Sequence, residues 1–391
     1  MAPGVGPGGV GAATAPTSHR VGYFVAINQL RGAAALLVVW AHLVGHWLTD
    51  RQLTWAPQTL VERFIAQPLG IIQHFGFLGV AIFFLISGFV ITHAASKETV
   101  RVFVVRRLLR IYVPLAGALL VSLAAVRLGA PRGWNAGVPL DYADGISLGD
   151  ALSAVSLVGY VTVPQVIVVG VAWTLAIEVV FYAFMAVVGP LLRRRRVPDV
   201  VVPVLLLSAV AAIVAASRSF GPSFFLFSVT CSYVPILIMG QAAYLASQRR
   251  VRLWEGLAVA GAAWAVFVWG LETLQPGFLS PGDAYGPSLT LAVGVFLVAV
   301  LAERHARTHR VLDVLAARSY SIYLVHGPVG LLVLDAAMGG GLAYRWALVA
   351  ALAAAAVATE AMYRGFERPS IALARRLTRR GRSFRAGGPR T

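Results

Sequence analysis

The chain has 391 residues, 58% hydrophobic and 13% charged, against roughly 45–50% apolar and about 25% charged in soluble domains, and that balance excludes a soluble enzyme. Basic residues outnumber acidic ones by 33 to 16, a net charge of +17, which in a soluble chain would point to nucleic acid. Here the charges fall between apolar blocks of about twenty residues, the length that crosses a bilayer core of about 30 Å. The composition therefore predicts an all-α, polytopic integral membrane bundle with no nucleic-acid partner.

In chain order, residues 1–24 are Gly/Ala/Pro-rich and read as a flexible cytoplasmic tail. Ten hydropathy blocks follow, at about 25–48, 70–93, 107–127, 171–192, 198–217, 224–246, 253–273, 287–303, 317–337 and 343–364. The apolar stretch 151–170 contains Pro164 and lies between polar or Gly-rich loops, so it is assigned as a re-entrant or interfacial segment. If it spanned, everything downstream would invert. Arginine placement favours ten spans. With the N-terminus inside, 26 of the 33 Lys/Arg fall on the cytoplasmic side, six fall outside, and Arg31 lies within the first span. Both termini are then cytoplasmic, in the cell membrane, and residues 367–391 form a basic tail whose RRLTRRGRSFR lies against anionic membrane lipids. The single cysteine, Cys231, has no disulfide partner and no zinc spacing, and reads as a packing residue.

Ionisable groups at bilayer depth are costly, so each one within a span is a functional candidate. Arg31 and His42 are eleven residues apart, which puts them on one helix face and about 16 Å apart along the axis. That span is comparable with an extended pantetheine arm, with Arg31 at an anionic group and His42 deeper at a reactive carbonyl. The bland reading is a snorkelling arginine and an interfacial histidine. Glu178 in WTLAIEVVFY lies about 10 Å into a span that begins outside, at the same predicted level as His42. A carboxylate there would fix the imidazole tautomer, or form a structural ion pair. Arg107 and Arg110 in RRLLRIYVP stand at i and i+3, able to grip one phosphate or to anchor the topology. His326 in SYSIYLVHGP reads as a second acid/base or as a hydrogen-bonded packing residue. His46, His74 and His93 read as interfacial, Gly79 and Gly88 as helix-packing positions, and Ser87 is no nucleophile because no G-x-S-x-G elbow surrounds it.

Taken together, INQLRGAAALLVVWAHL, FGFLGVAIFFLISGF, RRLLRIYVP, WTLAIEVVFY and SYSIYLVH resemble, in order and spacing, the motifs of the membrane-bound acyltransferase-3 family across about residues 25–366. Position 28 is Asn where that family commonly has Asp. The resemblance implies a ten-span acyltransferase domain that moves an acyl group, acetyl or another short one, from cytosolic acyl-CoA to a hydroxyl of a sugar, a lipid or a macrolide-type metabolite. It implies no metal. On motif matching His42 is the catalytic histidine and Arg31 its partner, with Glu178 added from the depth argument as the orienting acid. Arg31, Arg107, Arg110 and His326 form the donor-binding set. Many members of the family carry a further hydrolase-like domain, and the sequence resembles the stand-alone type. A secondary transporter or flippase using the same buried charges as a proton relay is the alternative from another class.

Overall fold

The computed structural model describes residues 24–128, 146–275 and 285–383. Among the described residues all regular structure is helical. Nine helices among these residues are long and apolar enough to cross a membrane, and we label the principal helices in chain order: α1 (Val25–Asp50), α2 (Gly76–Lys97), α3 (Val100–Arg127), α4 (Trp173–Arg194), α5 (Val201–Ala215), α6 (Pro222–Ser247), α7 (Leu253–Leu274), α8 (Tyr285–Ala302), α9 (Arg310–Gly339), α10 (Tyr344–Met362) and α11 (Arg368–Ser383). The fifth expected span is α5, whose 15 residues rise about 22 Å. It is shorter than the predicted 198–217 because Pro198–Val200 form a turn before it and the chain leaves the helix at Ala216. The helix order matches the hydropathy blocks.

The arginine-rich connections gather at one end of the bundle. There Arg250 pairs with Asp199 and donates to the carbonyl of Leu192, and the Glu303 carboxylate accepts from the backbone N–H groups of Val25 and Ala26 at the start of α1. A carboxylate at a helix N-terminus meets unpaired N–H donors and the positive end of the dipole. At the opposite end Arg51 pairs with Asp335, which also accepts from Trp47, and Tyr344 donates to the carbonyl of Leu43.

The centre of the bundle is α2, whose span is 83% buried and which packs on α1, α4, α6 and α8. Its contact with α6 is backbone to backbone. A Cβ on Gly88 would stand 1.8 Å from the Leu237 carbonyl oxygen, and one on Gly240 would stand 2.0 Å from that of Leu85. Small residues permit such approach in a bilayer, where apolar surface alone gives helices little reason to associate. Gly79 likewise lies against Ala34 and Val38 of α1.

Residues 151–170 do not cross. A capping box at Ser147 and Asp150 starts the short helix Leu148–Val155, which ends at a left-handed Leu157. A 3-10 turn over Val158–Tyr160 then reverses the chain. The Tyr160 hydroxyl donates to the carbonyl of Val169, and Val166–Val169 are buried. The segment thus re-enters the bundle, and α4 begins in the interior rather than at a surface.

Three further departures matter for the site. Within α1, Ala41–His46 widen into a π-helical turn. Helix α3 begins at Val100, capped by Thr99, so Arg107 and Arg110 lie two to three turns inside it rather than at its head. After α10 a π turn at Tyr363–Glu367 leads into α11, so much of the stretch expected as a tail is helical. Thr378 on α11 accepts from Arg106 of α3 at 3.1 Å. The expected N-terminal tail, apart from Phe24, and residues 384–391 lie outside the described residues.

Candidate active site

A cavity opens between α1, α2, α3, α4 and α9. Its polar lining is Arg31, Ser87, Arg107, Arg110, Thr174, Glu178, Tyr182, Ser319, Tyr320 and Tyr323. Helical spacing explains the grouping. Arg107 and Arg110 are i and i+3, Glu178 and Tyr182 are i and i+4, and Ser319 and Tyr323 share one face of α9 in the same way. The carboxylate is held on both oxygens, by the hydroxyl of Ser87 across from α2 and by Tyr182 at 3.0 Å.

The arginines are held differently. Among the described residues no hydrogen bond or ion pair engages the guanidinium of Arg31 or Arg110, and Nε of Arg107 is buried without a partner. Three cations therefore line the cavity with one carboxylate, each of whose oxygens already accepts a hydrogen bond, and Glu367, the other acid near Arg31, accepts from Ser321. A buried positive excess of this kind is expensive unless an anion completes it, and planar guanidiniums match phosphate oxygens.

His42 lies elsewhere. Its Nδ1 is 2.8 Å from the Val38 carbonyl and 3.2 Å from Nε2 of His326, while Nδ1 of His326 is 3.0 Å from the Ile322 carbonyl. A carbonyl only accepts, so both rings carry their proton on Nδ1. The His42 Nδ1–H is then shared between Val38 and His326, and Nε2 is the basic nitrogen of His42. If that nitrogen took a proton, the new charge would sit beside the lone pair of His326.

This corrects two expectations. Glu178 does not orient His42, because the re-entrant segment starts α4 in the interior. Thr174 is hydrogen-bonded to Tyr323 at 3.0 Å, and from that shared level Glu178 lies one turn towards the arginines while His326 lies about one turn the other way. The carboxylate and the imidazole pair are thus about 10 Å apart along the bundle axis. Nor does His326 join Arg31, Arg107 and Arg110 around the cavity. It takes the neighbouring position beside His42 that the sequence argument gave to Glu178. Between the two sites lies a thin layer, Phe83, Thr174 and Tyr323, with Phe83 and Tyr323 ring centroids 5.6 Å apart and those of Tyr323 and His326 6.2 Å apart.

Sequence reasoning missed Tyr182, Tyr320 and Tyr323, and considered Ser87 only as a nucleophile, not as a donor to Glu178. The helical spacing of Tyr320, Tyr323 and His326 in SYSIYLVH was the available signal. It also missed the ring sequence beyond His42: His46 at a centroid distance of 5.9 Å, then His74 at 5.1 Å from His46. Among the described residues no three of His, Cys, Asp and Glu gather as a metal site.

The fold and site together define a multi-pass membrane protein with a buried, arginine-lined pocket below a histidine pair. A model of the acyltransferase-3 family, described as an acyltransferase domain, matches residues 24–363. The chain belongs to that family and is a membrane acyltransferase. A comparison with curated proteins and one with solved structures each return no match.

Proposed function

We propose that the chain is an acyl-CoA-dependent O-acyltransferase of the cell membrane, with both termini and the arginine-rich end cytoplasmic. The observation that carries this reading is the gathering of Arg31, Arg107 and Arg110 around one cavity, three cations that outnumber the carboxylates near them. The phosphates of CoA supply the missing anions. The pantetheine arm then runs along the axis towards the Phe83–Tyr323 layer and presents the thioester to His42. A thioester is already activated, so the chemistry needs a base for the acceptor hydroxyl and support for the charge that develops. Nε2 of His42 takes the hydroxyl proton, and His326 shares the resulting positive charge. The acceptor is a hydroxyl of a sugar, a glycolipid or a macrolide-type metabolite arriving from the end opposite the arginines. Arg31 acts on the donor rather than on His42, from which it is separated by about 16 Å of helix.

The test is release of free CoA from acetyl-, propionyl- and longer acyl-CoAs by purified protein with pooled hydroxylated acceptors, wild type beside His42→Ala and Arg107→Ala. Acceptor-dependent release is expected for wild type and lost in His42→Ala, with weaker CoA binding in Arg107→Ala. Full transfer by His42→Ala, or failure of CoA to bind the wild type, would overturn the reading.

A further inference from the structure

We infer that His46, His74 and Glu62 form a relay that takes the proton collected by His42 to the end of the bundle opposite the arginine cavity, so that each acyl transfer also moves a proton across the protein. The inference rests on the acyltransferase reading of His42 and deepens it.

Three local features converge on these residues. The π turn at Ala41–His46 holds both His42 and His46, and π bulges concentrate at functional positions. Gln73, His74 and Phe75 then occupy the left-handed region in succession, at φ 52°, 49° and 76°, a conformation that side-chain-bearing residues rarely adopt and that persists only where surroundings hold it. Finally, Gly45 is bare where His74 lies, since a Cβ there would be 2.1 Å from that of His74. Their joint effect is to seat the His74 ring edge-on against His46, 5.1 Å between centroids.

The far end of the row is built to discharge. Nδ1 of His74 donates to Glu62 at 2.5 Å, and Nε2 lies 3.2 Å from the Thr49 hydroxyl. His74 and Glu62 are each about one-fifth exposed, and Thr49, which meets His74, is exposed. The inner steps, 5.9 Å and 5.1 Å between ring centroids, are lengths that one bridging water or a ring rotation closes.

In the transfer the acceptor oxygen forms a bond to the thioester carbonyl carbon and the C–S bond breaks. The hydroxyl proton passes to Nε2 of His42. The CoA thiolate leaves towards the arginines and takes its proton from water at that end. The proton on His42 passes through His46 to His74 and Glu62 and out to water at the other end. Each ester formed therefore removes one proton from one side and delivers one to the other.

The experiment uses the full-length protein in sealed liposomes, with acetyl-CoA outside, a pool of methyl glycosides and a pH-sensitive dye trapped inside. Acetyl-CoA is impermeant, so only molecules with the arginine end outward turn over. The expected result is one lumenal proton per acetyl ester. His46→Gln and His74→Gly should lower the initial rate at least 10-fold with acetyl-CoA affinity unchanged, and lumenal imidazole should restore His74→Gly, a rescue that a merely structural role would not give. Ester formation without lumenal acidification, or wild-type rates in both variants, overturns the relay and leaves the acyltransferase reading intact. Absence of ester together with absence of CoA binding overturns both.

Discussion

Replacing Gly88 by Ala tests how tightly the site depends on the central helix contact. The added methyl would lie 1.8 Å from the Leu237 carbonyl oxygen. Ordinary contact needs about 3.4 Å, so the α2 and α6 backbones must part by about 1.6 Å or one of them must bend. Neither obstacle is a flexible side chain, and overpacking of this kind typically costs 1–3 kcal/mol or more. The reciprocal Gly240→Ala demands nearly the same separation, because its methyl meets Leu85 at 2.0 Å. Once the helices have parted for one methyl, the second finds the space largely open. The double variant should therefore be destabilised by well under the sum of the singles, with a coupling of about 1–3 kcal/mol. Ser87 adjoins Gly88 and donates to Glu178, so the same displacement should weaken CoA binding. Denaturant unfolding in detergent micelles gives the cycle, and CoA titration gives the second effect. Strictly additive single effects, or a Gly88→Ala protein as stable as wild type, would refute the backbone contact.

Other outcomes follow from single interactions. Asp199→Ala leaves the Arg250 guanidinium with only the Leu192 carbonyl, both members of the ion pair being only 10% exposed, and should cost about 3 kcal/mol, seen as a lowered Tm. Ser87→Ala and Tyr182→Phe each remove one donor from Glu178. The carboxylate then turns to the arginines, and the Kd for CoA should rise several-fold, consistent with about 1–3 kcal/mol for an unsatisfied buried acceptor; unchanged affinity in both would count against Glu178 competing for those cations. Tyr323→Ala removes the ring that meets Phe83 and the hydroxyl bonded to Thr174. It should admit longer acyl chains, measured as a shift in chain preference of CoA release from acetyl towards octanoyl.

Much of this was legible in the sequence, for reasons particular residues make plain. Apolar blocks set by bilayer thickness gave the helices and their order, and the i, i+3 placement of Arg107 and Arg110 gave half of the cavity. Pro164 and the polar flanks of 151–170 gave the segment that does not span. The error about Glu178 came from the same segment. Depth was counted from a surface, and a re-entrant chain removes the surface from which to count. The π turn was equally hidden, because widening one turn of a helix leaves no compositional trace. The left-handed run at Gln73–Phe75 was hidden too, since none of those residues is glycine or asparagine. Pairings across the bundle, such as His42 with His326, depend on which helices are neighbours, and hydropathy is silent on that.

The layer of Phe83, Thr174 and Tyr323 stands between the pocket of cations and the pair of imidazoles. On the acyltransferase reading the thioester must pass this sheet of side chains, so the rings of Phe83 and Tyr323 part when the donor reaches His42. In electrical terms the closed ring pair acts as a plug. Tyr323→Ala should therefore also leak potassium from loaded vesicles, where the wild type holds a diffusion potential.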